Sequence, residues 1–215
     1  MSGLVRVRTL LALLAAFAFA GVLTSGCAGA PAVTRAPFSD PNAVGYIGLC
    51  NQAGRQITSG NLDSAPFAWR AVSSQPAPPP YNNDWRTAIL LAYQPRQGLQ
   101  PDEWGGQELT SSTRYTNPAH PMAQATSGDE SLADFVADFP TQWQGFVQLR
   151  MYLDTRDAVV YSARYPALDI EVTGDTWQAV GGGKVNCDAG RAESIESILL
   201  RPSATASHRA AKAPQ

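Results

Sequence analysis

Residues 145–153, GFVQLRMYL, carry an apolar side chain at every second position: Val147, Leu149, Met151 and Leu153. Successive side chains of a strand point to opposite faces, so this pattern buries one face and puts Phe146, Gln148, Arg150 and Tyr152 on the other. Residues 168–172 repeat it, with Leu168, Ile170 and Val172 inward and Asp169 and Glu171 outward. Turn formers at 154–157 and at Gly174-Asp175 separate these runs from 158–164 and 176–180, which read as return strands. Earlier strands are expected at 44–50, 56–58, 67–72, 86–94 and 110–115, and a last strand or short helix at 194–200. The only helical pattern is 129–139, where Leu132, Phe135, Val136 and Phe139 share one face and Pro140 follows. Short strands about 10 residues apart predict an all-β fold. The expectation is an antiparallel β-sandwich, immunoglobulin-like or jelly-roll, with one short helix.

The start of the chain sets the compartment. Arg6 and Arg8 precede an apolar run from Leu10 to Leu23, followed by small residues. That order is the pattern of a secretory signal peptide. The run falls short of the roughly 20 residues that a helix needs to cross a bilayer. Thr24-Ser25-Gly26-Cys27 resembles the bacterial lipobox, in which the cysteine is acylated and becomes the new N-terminus; the strict form has Leu, Val or Ile where Thr24 stands. Cleavage after Ala28-Gly29-Ala30 is the alternative, and it would leave a secreted protein. The chain then divides into a signal peptide (1–26), a lipid-attachment site and Ala/Pro-rich tether (27–42), a β-sandwich domain (43–200) and a tail poor in large apolar residues (201–215). The expected location is the outer face of the cytoplasmic membrane, within the cell envelope.

Three cysteines are present. Lipidation of Cys27, or its removal, leaves Cys50 and Cys187 as a pair, and an oxidising compartment favours their disulfide. Losing Arg6 and Arg8 with residues 1–26 takes the formal charge from −2 to −4. An acidic exported chain lacks the basic field that a nucleic-acid partner requires. The expected partners are the membrane, through the lipid, and an envelope glycan or another surface protein.

No set of residues reads as a catalytic centre or a metal site, and no cofactor is implied. His120 stands in a loop between Ala119 and Pro121, with no second histidine at ligand spacing. Residues 181–184, GGGK, lack the rest of a phosphate-binding loop. Asp169 and Glu171 could form a carboxylate pair of a glycoside hydrolase, but alternation already accounts for them as an outward, solvated face. Trp104, flanked by acids in the long 95–128 loop region, joins Trp85 and Trp143 as candidates for a sugar-stacking surface, although the plainer reading of each is a core or loop-anchoring residue.

The stretches GYIGLCNQAGRQITSG, PFAWRAVSS, LLAYQPRQG, SSTRYTNPAHPMAQAT and DIEVTGDTWQAVGGGKVNC together resemble an uncharacterised group of exported, lipidated or surface-anchored proteins of actinobacteria. The resemblance covers most of 45–187 and implies a location but no activity. The functional expectation is therefore a non-enzymatic, lipid-anchored envelope protein with a binding or structural role. A carbohydrate-binding domain and a hydrolase with a carboxylate site are the alternatives.

Overall fold

The computed structural model describes residues 35–194. The signal peptide, Cys27, the tether up to residue 34 and residues 195–215 lie outside the described residues. The strands are β1 Ala43–Cys50, β2 Gln56–Ile57, β3 Ser59–Asn61, β4 Arg70–Ser73, β5 Thr87–Tyr93, β6 Gly106–Glu108, β7 Thr113–Tyr115, β8 Met122–Gln124, β9 Phe146–Thr155, β10 Ala158–Tyr161, β11 Tyr165–Thr173, β12 Thr176–Val180 and β13 Ala192–Ser194. One helix, α1, spans Leu132–Asp138. The all-β class with one short helix holds. The 95–128 region carries more structure than its turn formers suggested, with β6, β7, β8 and a 3-10 turn at Pro101–Glu103.

The strands run in the order β13-β7-β5-β9-β11-β1-β4-β8. The 10-residue β9 is central, held by β5 on one side and β11 on the other. All pairs are antiparallel except β1 with β11, a correction to the fully antiparallel expectation. β1 pairs with β11 and then with β4, and its last two residues also pair with β2. Ala43 and Tyr46 pair with Tyr165 and Ala167, and Ile47–Cys50 then pairs with β4. Gly45, at φ +69°, sits in the irregularity between Ala43 and Tyr46. Such a bulge bends a strand and increases its twist, which redirects β1 from one neighbour to the other. At the far end β8 meets β7 and β5: the Thr113 hydroxyl donates to the Ala88 carbonyl (3.0 Å) and accepts from the Gln124 N–H (3.2 Å). The sheet thus curls nearly into a barrel.

The interior receives the alternating residues. Val147, Leu149 and Met151 of β9 meet Ile47, Leu49, Leu90, Ile170 and Trp177, all essentially without solvent contact. α1 adds Leu132 and Phe135. It begins at the first residue of its apolar pattern, three residues later than the expected start at 129, because Asp129 is engaged elsewhere. The Asp129 carboxylate accepts from Thr126 N–H (2.6 Å) and Ser111 N–H (3.1 Å), closing a turn. Ser131 caps the helix instead. Its hydroxyl accepts from Asp134 N–H, and the Asp134 carboxylate accepts from Ser131 N–H. The Cys50–Cys187 disulfide is formed, with Cα atoms 5.9 Å apart. It ties the end of β1 to the segment that follows β12.

Candidate functional site

The outward face of β9 is not left to water. The lead-in to β1 lies across it, so residues 35–42, expected to be tether, are part of the packed domain. Phe38 sets its ring against Trp104 (5.0 Å between centroids), Trp143 (5.5 Å) and Phe146 (5.9 Å). Two residues on, Asp40 approaches the Arg150 guanidinium at 3.6 Å. The lead-in thus runs along β9, with Phe38 against Phe146 and Asp40 against Arg150, four positions further on.

Arg150 is 1% exposed. Burying an unpaired guanidinium costs several kcal/mol, so its surroundings have to replace water. They do so in three ways. Its N–H groups donate to the Gln148 side-chain oxygen (2.7 Å) and the Pro101 carbonyl (2.9 Å). Asp40 supplies the opposite charge. Its cation lies 3.9 Å from the Tyr93 ring centre and 4.7 Å from that of Tyr165, where the negative ring faces attract it. Asp40 is itself engaged through both oxygens, accepting from the Tyr165 hydroxyl (2.8 Å) and Asn42 N–H (2.9 Å). Burial, and next the bond to Asp40, push the Tyr165 phenol well above its usual range, so it remains a donor.

Beside this cluster lies a cavity of about 560 Å³. The lead-in forms one wall, the Gly45 bulge of β1 another, and β11 with the Gly181-Gly182 turn after β12 the rest. Gly181 and Gly182 hold φ of +76° and +77°, a conformation side chains resist, and an added Cβ on Gly182 would press on Leu168 at 3.2 Å. The turn can take this path along the cavity because neither residue has a side chain.

Asp169 lines the cavity. Leu168 and Ile170 point into the core, so alternation turns Asp169 outward, but the covered face leaves it only partly exposed. One carboxylate oxygen accepts from the Gln148 amide at 3.1 Å. That amide is fixed, since its oxygen is taken by Arg150. No donor among the described residues reaches the second Asp169 oxygen. Burial pushes the Asp169 carboxyl up to about 6; the Gln148 bond opposes the shift, Asp40 adds to it and Arg150 opposes it. The group can therefore accept donors and exchange a proton near pH 6.

A raised carboxyl has a stability consequence of definite sign. Between the usual carboxylate range and pH 6 the folded state holds a proton that the unfolded chain has released. Stability from this group is present at low pH and is lost as pH rises through 6. Asp169→Asn should therefore stabilise the domain at pH 7.5 by about 1–2 kcal/mol, after discounting for partial solvation. It should also flatten the pH 4–6 slope in urea titrations. A destabilised variant with the same slope would contradict this assignment.

The tryptophans do not form one row. Trp104 is 4% exposed and Trp143 partly buried, both against Phe38. Trp85 is 53% exposed and lies under the Arg156 guanidinium, 3.1 Å from the ring centre. It neighbours Asn83, which bonds Thr155 at the end of β9 farthest from Phe146. At about 3.3 Å per residue the two groups are roughly 30 Å apart. Glu171 does not line the cavity; the carboxylate that shares it with Asp169 is Asp40. His120 is held by its backbone N–H on Asn117. Among the described residues no group of His, Cys, Asp or Glu is gathered to hold a metal ion. No described helix is long and apolar enough to cross a membrane.

Asp40, Gln148, Arg150 and Tyr165 were not singled out from sequence. The available signal was an arginine and a glutamine inside a strand whose flanking outward positions, Phe146 and Tyr152, are aromatic. The fold and its cavity define an all-β, pocket-bearing domain. Comparison with protein-family models, with curated proteins and with solved structures found no match.

Proposed function

We propose that this chain is an exported, lipid-anchored cell-envelope protein whose domain binds a small ligand in the cavity at Asp169. The observation that carries the binding role is the under-bonded Asp169 carboxyl on the wall of that cavity. One oxygen of this largely covered carboxyl faces the cavity with no protein donor, so a bound ligand can supply one there. The Cys50–Cys187 disulfide supports an oxidising location. The charged-apolar-small pattern ending in Cys27 supports export and acylation, in keeping with the actinobacterial lipoprotein group.

Two other readings are weaker. A glycan surface built on Trp85, Trp104 and Trp143 lacks a shared exposed face. A hydrolase using Asp169 with Glu171 lacks the shared site, and Asp40 is already committed to Arg150, Tyr165 and Asn42.

Export and anchoring are tested by growing the source cells with labelled fatty acid. Label on the wild type and none on Cys27→Ala is the expected result. An unlabelled wild type found in the medium replaces the anchor with secretion, and a cytoplasmic, unlabelled protein with free thiols at Cys50 and Cys187 overturns export.

A further inference from the structure

We infer that the cavity at Asp169 takes a small primary amine, with the ligand's ammonium group donating to the Asp169 carboxylate. This rests on the binding role proposed above and adds the chemical class.

Two carboxylates, Asp40 and Asp169, border the cavity, and one buried cation, Arg150, lies beside it. Arg150 is spent on Asp40, Gln148 and Pro101. Asp40 has its own donors in Tyr165 and Asn42. Asp169 is left with one neutral amide bond and an open oxygen. The remaining groups do not neutralise it. Tyr46 on β1 directs its hydroxyl to the Lys184 carbonyl. Arg35 lies exposed at the cavity wall and forms no ion pair among the described residues, where solvent and salt screen it. The wall from β12 ends in Val180, Gly181 and Gly182 and brings no charged side chain. An anionic ligand would meet the uncompensated carboxylate. A neutral alcohol would satisfy the open oxygen but not the charge. An ammonium does both, because it adds the attraction of opposite charges to the hydrogen bond. The Gly181 end of the wall is uncrowded, with nothing within 4 Å of where a Cβ would stand.

The probe is ethanolamine, with ethylene glycol as its uncharged counterpart of equal size. Both are titrated into the mature, disulfide-intact protein and followed by amide NMR. Ethanolamine should shift resonances of Asp169, Gly181 and Gly182 and bind at least tenfold more tightly than ethylene glycol at pH 8. Lowering the pH to 5 should weaken it about tenfold, because Asp169 takes up a proton near pH 6 while the amine stays charged. Asp169→Asn should remove that difference between the two probes while its spectrum shows an intact fold. Equal binding of the two probes at these residues would overturn the amine assignment and leave the cavity as a binding site. Shifts from neither probe would overturn both. Vesicles of phosphatidylethanolamine, with phosphatidylcholine as control, separate the sources of the amine. Asp169-dependent retention on the first alone marks a lipid headgroup, and binding of ethanolamine without vesicle retention marks a free amine. Retention on both vesicles independent of Asp169, together with no effect of free ethanolamine, counts against the proposal.

Discussion

Replacing both Cys50 and Cys187 with alanine is expected to destabilise the domain by about 3–5 kcal/mol and to lower its thermal midpoint by roughly 10 °C. The two residues are 137 positions apart. Releasing a loop of that length restores unfolded-chain entropy worth about 5 kcal/mol, a ceiling that residual structure reduces. The native state loses little else, since both side chains are small and buried among residues that remain. The effect should therefore come mainly through the unfolded ensemble, and the urea m-value should rise as the uncrosslinked chain exposes more surface. A shift under 1 kcal/mol with an unchanged m-value would mean that the bridge restrains nothing.

Asp40→Ala should cost about 3–5 kcal/mol, because it leaves the buried Arg150 without its counter-charge and Tyr165 without its acceptor. Arg150→Met alone should also destabilise, by stranding Asp40. The double variant should recover part of either loss, since two buried charges removed together need no replacement for water. A double-mutant cycle by urea denaturation measures the coupling, and an interaction below 0.5 kcal/mol would break the link drawn between lead-in and sheet. The same change reaches the cavity. Asp40 is one of the causes that raise Asp169, so the Asp169 titration should move below 6 in Asp40→Ala, provided the lead-in stays in place. The lead-in is thus both a wall of the site and a setting of its charge.

Much of the architecture was legible because it is written locally. The alternation of 145–153 and 168–172 named the inward residues of β9 and β11, and counting cysteines named the disulfide. Where neighbours compete for a group, local reading fell short. Asp129 looked like the first turn of the helix and closes the preceding turn instead. Trp104 stood in a polar loop and proved buried, because Phe38, 66 positions earlier in the chain, packs on it. Asp169 was correctly placed as outward, but the inference that outward means solvated failed, since a second layer covers that face.

The sequence by itself determined the class of the fold, the inward faces of its main strands, the cysteine pairing and the features that predict export. Tertiary structure alone decided that β1 would run parallel to β11 and pass on to β4. It also decided that 35–42 would fold over β9, and that Arg150, Asp40 and Asp169 would gather at one cavity. The reason is physical. Side-chain periodicity reports which way a residue faces relative to its own strand and nothing about what lies beyond. The contacts that make the site join distant positions, Tyr165 with Asp40 across 125 residues among them, and no pattern of period two carries that information.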